Sequence, residues 1–137
     1  MLTTSDIIEI HQLLAEYGNI IDEREWDRVP ELFTADAEYD LSDFGGGIFR
    51  GPAAIREFWE QSARHPLAHH VTNIVVRERP DGSVHAFSKI IGVGHRNKAG
   101  SATYRDELRK TEAGWRIARR VATPRSSDPG RISGVSS

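Results

Sequence analysis

The segment ATYRDELRKTEAGWRIARRVA, residues 102–122, decides the fold because it contains two β-rich runs joined by a tight turn. In the first run, 102–110, two sets of side chains alternate, and one of the sets is almost entirely charged, as expected for a strand with one buried face. The turn at 112–114 ends in glycine, and the second run covers 115–122. This order predicts an antiparallel hairpin, because strands separated by a short glycine-containing turn pair with each other.

Two more β-rich runs precede the hairpin, at 71–79 and 84–95. A turn at 80–82 separates them, and a second turn at 97–100 leads into the hairpin. Three tight turns between four such runs predict an antiparallel meander, since parallel strands need long crossover connections.

The N-terminal third of the chain has a helical pattern instead. Apolar residues recur there at steps of three and four, namely Ile7, Ile10, Leu14, Tyr17 and Ile21. Thr4 or Ser5 is expected to cap the start of this helix. A second short helix is expected over 26–33, and a third after Pro52, which suits a first helical turn.

Short strands are expected between these helices, at 37–41 and 48–49. Helices first and strands later indicate the α+β class. We therefore expect three N-terminal helices against one face of a strongly bent, mixed or antiparallel sheet. Residues 1–123 are expected to form one domain. Residues 124–137, rich in Ser, Gly, Pro and Arg, are expected to form a flexible tail.

The composition narrows the possible functions. The chain has 137 residues, a net charge of −2 and no cysteine, which excludes disulfides, thiolate metal sites and a cysteine nucleophile. The small net charge gives no reason to expect nucleic acid or a membrane as a partner. No apolar run is long enough for a membrane span or a signal peptide, so a cytoplasmic location is expected. No phosphate-binding glycine loop or Gly-x-Ser-x-Gly motif is present.

Asp22 and two adjacent histidines are the first candidates for chemistry. A carboxylate near the end of the first helix meets the negative end of the helix dipole, unless Asp22 and Glu25 form a capping box for the next helix. His69 and His70 begin a strand, so their rings point to opposite faces and only one of them can face a pocket. That divergence also argues against a joint metal site, and no metal is expected.

Asp106 is the third candidate. It shares a strand face with Tyr104 and Leu108, which predicts that its carboxylate points inward. A buried carboxylate needs a partner, so Asp106 is either functional or hydrogen-bonded to Arg119 or Arg120 on the next strand.

Several short motifs follow one another along the chain: Tyr17 five residues before Asp22, WD at 26–27, LFTADA at 32–37, RGPAAI at 50–55, HHVTN at 69–73, YRDEL at 104–108 and GWRI at 114–117. In this order and spacing they resemble the SnoaL-like branch of the nuclear-transport-factor-2-like superfamily over residues 5–123. The resemblance implies a cone-shaped barrel that encloses a pocket, without a cofactor, and a homodimer or homotrimer.

Within that branch the chain looks similar to scytalone dehydratase, bile-acid dehydratase and hexachlorocyclohexane dehydrochlorinase. The resemblance implies catalytic roles for Asp22, His69, Tyr17 and Asp106, with the histidine as proton acceptor. His70 satisfies the spacing from Asp22 equally well, although the His-x-x-Thr-Asn pattern favours His69. The residues expected to contact substrate are His70, Tyr104, Tyr39 and Trp59. A second histidine that scytalone dehydratase carries on the strand at 101–104 is missing.

The function expected from these residues is a cofactor-independent lyase that eliminates water or a similar small group from a cyclic hydroxylated or ketone substrate. Polyketide cyclisation and ketosteroid-type isomerisation begin with the same proton removal and remain alternatives. A non-catalytic ligand-binding or accessory subunit is the alternative from another functional class.

Overall fold

A computed structural model describes residues 1–62 and 65–125 of the chain. The two α-helices are α1, Thr4–Asp22, and α2, Gly51–Gln61. Short 3-10 helices span Trp26–Glu31, Ser42–Phe44 and His95–Asn97. The strands are β1, Phe33–Asp40; β2, Ile48–Arg50; β3, Ala68–Glu78; β4, Val84–Val93; β5, Ala99–Thr111; and β6, Gly114–Pro124.

The strands form one sheet in the order β2-β1-β6-β5-β4-β3. Neighbours pair antiparallel except β1 and β6, which are parallel. The predicted α+β class and the meander from β3 to β6 are therefore confirmed. The sheet does not close into a barrel, because its edge strands β2 and β3 are not paired with each other.

The start of α1 differs from the expectation by one residue. Thr3, not Thr4 or Ser5, is the N-cap: its Oγ1 accepts from Asp6 N at 3.0 Å, and Asp6 Oδ2 accepts from Thr3 N at 2.9 Å. Asp6 Oδ1 also accepts from the indole of Trp115 at 3.0 Å. The Thr3 backbone bond is the largest of several hydrogen bonds that hold the pKa of Asp6 well below its usual range. The cap thus joins the start of α1 to β6.

The second predicted helix is shorter than expected and of a different type. It is a 3-10 helix that ends at Glu31, and Phe33 already belongs to β1. Pro30 lies inside it and has no N–H to donate to a helical bond. Ile117 N donates to Leu32 O at 2.8 Å, so the chain joins the sheet directly after the helix.

A bulge in β3 changes which residues face the core. The register with β4 shifts between Thr72 and Val75, and Asn73 adopts a φ of 54°. Asparagine tolerates this left-handed conformation better than most residues. Val71 before the bulge, and Ile74 after it, both pack against the core.

A second bulge, in β6, has the same effect. Leu108 of β5 pairs with Ile117, but Glu107 pairs with Arg119, so Ala118 is an extra residue. Before the bulge the odd-numbered residues of β6 face the core, and after it the even-numbered residues do. Arg120 is therefore fully buried whereas Arg119 is exposed.

Strand β6 ends at Pro124, and Arg125 N still donates to Ser101 O of β5 at 2.8 Å. The rest of the predicted tail, 126–137, lies outside the described residues.

Among the described helices, none combines the length and apolar content that crossing a bilayer requires. The expected homodimer or homotrimer stays a prediction; the exposed apolar residues include Val75 and Ile91 on the sheet.

Candidate active site

The last residue of α1 and the second residue of β3 form a tightly bonded pair. Asp22 Oδ1 lies 2.6 Å from His69 Nδ1, and Asp22 Oδ2 accepts from the His69 backbone N at 2.8 Å. Because a carboxylate only accepts, Nδ1 carries the hydrogen and Nε2 is the basic nitrogen. The two side chains are 13% and 11% exposed, so solvent screens their interaction only weakly.

This pair excludes the capping alternative for Asp22. The residue that precedes the 3-10 helix Trp26–Glu31 is Glu25, and it makes no side-chain cap bond. Both Asp22 oxygens are directed to β3 instead. The contact with His69 provides the partner that a carboxylate at a helix C-terminus requires.

Gly18 allows α1 to approach β3 closely enough for this pair to form. A Cβ at Gly18 would lie 3.0 Å from His69 O and 3.4 Å from His69 Cβ. Gly18 precedes Asp22 by four residues, one helical turn, so both lie on the same face of α1. Gly18 is therefore a positioning residue for the Asp22–His69 pair.

We expect Gly18→Ala to lower by about tenfold the turnover of any reaction that depends on the Asp22–His69 contact, because the helix must move away by a few tenths of an ångström and shift Asp22 from His69. Alanine also has a higher helix propensity, by about 1 kcal/mol, which offsets part of the steric cost in stability. Turnover should therefore fall more than the thermal midpoint. Full turnover in Gly18→Ala would contradict the positioning role.

A cavity of about 910 Å³ lies beside the pair, and His69 lines it. Its buried wall is aromatic, formed by Tyr17, Tyr39, Trp59 and Tyr104. The rings meet edge to face, for example Tyr17 with Trp59 at 5.5 Å between centroids. Tyr17 Oη and Tyr39 Oη are 2.7 Å apart. This cavity has the size and apolar character of a small-molecule site.

The phenols of this wall stay protonated at neutral pH. Burial, together with the neighbouring Tyr104 and Tyr39, raises the pKa of Tyr17 well above its usual range. Burial likewise raises the pKa of Tyr39 and of Tyr104. They can therefore donate hydrogen bonds to a substrate oxygen, but they do not act as bases.

A buried ion pair supports the aromatic wall from behind. Arg120 Nε and Nη2 each donate to Asp106 at 2.7 Å, and both side chains are completely buried. The guanidinium carbon lies 4.1 Å from the ring centre of Tyr17 and 3.9 Å from that of Tyr104. Burial alone would lower the pKa of Arg120, but the charge of Asp106 and its hydrogen bonds raise it above the usual value.

This pair does not support the expectation that Asp106 acts on substrate as an acid. Both of its oxygens accept from Arg120, and Asp106 does not line the cavity that contains His69. The alternative partner considered for it, a β6 arginine, is the one observed. The bulge at Ala118 decides that this arginine is Arg120 and not Arg119.

The structure brings together most of the other predicted residues. His69, Tyr17, Tyr39, Trp59 and Tyr104 all line the cavity. The prediction of a substrate contact from His70 is not supported, because His70 is exposed and does not line this cavity. Its ring lies on the opposite face of β3 because adjacent strand residues alternate.

Sequence reasoning did not assign the positioning role of Gly18 or the central place of Arg120. The spacing of Gly18 from Asp22 was a usable signal, whereas no local pattern indicates the β6 bulge that buries Arg120. Across residues 1–62 and 65–125, no group of three or more His, Cys, Asp or Glu side chains converges as a metal site requires.

A family model described as SnoaL-like domain matches residues 3–121, nearly the whole described chain. The chain belongs to the SnoaL-like domain family. The SnoaL-like protein is also 34% identical, over 125 residues, to an uncharacterized protein of Mycobacterium tuberculosis, with 87% of this chain and 85% of the relative covered.

Two solved structures share its fold. A proposed aromatic ring hydroxylase from Novosphingobium aromaticivorans is 32% identical, with a TM-score of 0.72 and coverage of 89% of this chain and 90% of that one. A proposed scytalone dehydratase from the same species is 18% identical, with a TM-score of 0.69 and coverage of 89% and 85%. At that identity the second similarity concerns the fold alone.

Proposed function

We propose that this SnoaL-like protein is a cofactor-independent lyase that eliminates water, or a similar small group, from a cyclic hydroxylated or ketone substrate. The observation that carries the proposal is the 2.6 Å contact between Asp22 and His69 at the wall of a largely apolar cavity. A direct carboxylate–imidazole contact prepares a general base, and a binding protein has no need of one.

The reaction begins at His69 Nε2, which makes no hydrogen bond or ion pair with any of the described residues. Nε2 removes a proton from the carbon beside a carbonyl, and the electron pair of that C–H bond forms the new double bond. The Asp22 carboxylate stabilises the imidazolium that results, because the opposite charge lies 2.6 Å away. A positioned base of this kind contributes about 10²- to 10⁴-fold to the rate.

The phenols supply the second half of the elimination. As the C–O bond breaks, a tyrosine O–H protonates the departing hydroxide and water is released. The proton taken up by His69 must then return to the phenolate, so that the imidazole and the phenol are both restored and no net proton is consumed. Tyr17 and Tyr39 share one hydrogen bond between their two hydroxyls, so one of their two protons remains for the substrate. Tyr104, beside them, is a further donor to an enolate oxygen.

The similarity to a proposed scytalone dehydratase concerns the fold alone, so the proposal of elimination rests on the geometry of the site. Cyclisation of a polyketide and isomerisation of a β,γ-enone begin with the same proton removal. The three reactions therefore differ in the substrate bound and not in the residues that start them.

A panel of hydroxy ketones, β,γ-enones and open-chain polyketides in D₂O separates these reactions. We expect the hydroxy ketones to lose water, seen as ultraviolet absorbance of the conjugated product. Where proton removal reverses before water is lost, we also expect deuterium at the carbon beside the carbonyl of the recovered hydroxy ketone, read by mass spectrometry. Absence of both turnover and deuterium uptake across the panel would contradict the lyase assignment.

The second candidate function is non-catalytic binding of an aromatic ring compound, and the 32% identity to a proposed aromatic ring hydroxylase motivates it. The aromatic wall of the cavity suits a flat ring compound, and a protein that only binds such a compound would not need the general base. In that case His69→Ala would bind ring compounds normally, and the wild type would incorporate no deuterium into any of them.

A further inference from the structure

The mouth of the cavity carries positive charge. Its exposed lining includes Lys98, at the turn between β4 and β5, and Arg125, just after β6. Neither side chain makes an ion pair or hydrogen bond with any residue in the described part of the chain. This contrasts with the net charge of −2 for the whole chain.

Negative charge is absent from the described lining of the same cavity. None of the described residues that line this cavity is an aspartate or a glutamate. The nearby carboxylate of Asp22 is hydrogen-bonded to His69 and does not line the cavity. Two cations at the entrance that pair with none of the described residues, in a described lining without carboxylates, produce a local field that attracts anions.

The pairing of the strands sets the distance between the backbone positions of these two residues and that of His69. His69 pairs with Gly92 of β4, and Gly92 pairs with Gly100 of β5. Two strand spacings of about 4.8 Å separate β3 from β5, and a third leads to β6, where Arg125 follows. The backbone positions of Lys98 and Arg125 therefore lie roughly 10–15 Å from that of His69 along the sheet, a span on the scale of two or three fused rings.

We propose that Lys98 and Arg125 bind a carboxylate of the substrate, so that the substrate class is a ring acid whose anionic group lies far from the carbon that loses its proton. The position of the reacting carbon in this inference rests on the proposed lyase function, whereas the binding of the carboxylate does not. A carboxylate suits the mouth, because it can stay partly hydrated there while the rings occupy the apolar wall. It also orients the substrate, since only one end of the molecule carries charge.

The test uses two probes that differ mainly in charge, 2-naphthoate and its neutral amide, 2-naphthamide. Binding is measured by calorimetry at low salt and pH 8, and the measurement is repeated in His69→Ala so that a positive charge on His69 cannot account for attraction of the acid. We expect the wild type to bind the acid about tenfold more tightly, a difference of ~1.4 kcal/mol. The preference should fall with added salt, because the mouth is exposed.

The decisive variant is Lys98→Gln/Arg125→Gln. It should lose the preference for 2-naphthoate over 2-naphthamide, while its affinity for the amide is unchanged. Arg96→Gln is the matched control: it removes an exposed cation from the same turn, at a residue that does not line the cavity. Thermal melting verifies that each variant is folded. Equal affinity of the wild type for acid and amide, including no binding of either, would overturn the proposal, and so would a preference that survives in the double variant.

The same measurement in His69→Ala separates this inference from the proposed function. If the preference is intact but no substrate turns over even in the wild type, the lyase assignment fails and the anion site stands. If turnover occurs but acid and amide bind equally, the anion site fails and the lyase assignment stands.

Discussion

His69→Ala is expected to lower the rate of proton removal by about 10²- to 10⁴-fold, because it deletes the nitrogen that accepts the proton. Asp22→Asn is expected to cause a loss of similar order. An amide cannot stabilise the imidazolium, and it can donate to Nδ1 and so favour the wrong tautomer. Both effects are read as deuterium uptake into a hydroxy ketone, together with the rate of water loss.

His70→Ala is the control for these variants. It removes a histidine from the adjacent position of β3, but His70 is exposed and lies outside the cavity. Its rate should equal that of the wild type. Unchanged rates in both His69→Ala and Asp22→Asn would contradict the proposed mechanism.

The double variant Asp22→Asn/His69→Ala provides a sharper test of the pair. If Asp22 acts only through His69, the Asp22→Asn substitution should lower the rate of proton removal little further once the imidazole is absent. Independent roles would instead make the two losses multiply. The stability of the three variants, measured by urea unfolding, shows whether any rate loss reflects unfolded protein.

Asp106→Leu should be among the most destabilising single substitutions in the chain, at about 3–5 kcal/mol, because it leaves Arg120 as an unpaired charge in the core. The guanidinium is completely buried between two aromatic rings, so water cannot replace the lost carboxylate without opening the structure. Urea unfolding with a linear extrapolation measures the loss.

Two comparisons make this second prediction specific. The double variant Asp106→Leu/Arg120→Met should recover most of the stability, since an apolar pair of similar volume avoids the cost of burying charge. The exposed pair of Asp36 and Arg109, 3.0 Å apart, is the contrasting case, and Asp36→Ala should leave the unfolding midpoint almost unchanged. A loss in Asp106→Leu no larger than that in Asp36→Ala would contradict the structural role of the buried pair.

Local sequence patterns determined the elements of this fold. The apolar stripe from Ile7 to Ile21 predicts α1, and the glycine turn at 112–114 predicts the β5–β6 hairpin. Patterns of this kind are reliable because helix and strand periodicities depend on residues that are neighbours in the chain. The inward direction of Asp106 also followed from such alternation, and so did the divergence of His69 and His70.

Contacts between distant segments decided the site. Asp22 and His69 are separated by 47 positions, and the sequence left open whether Asp22 caps a helix or bonds a histidine. The close approach at Gly18 determines that α1 reaches β3, and the bulge at Ala118 determines that Arg120, not Arg119, faces Asp106. One inserted residue reverses the face of every residue after it, and its position depends on pairing with the neighbouring strand. The sequence alone therefore shows that side chains alternate between two faces of a strand, whereas the assembled sheet sets the face on which each side chain lies.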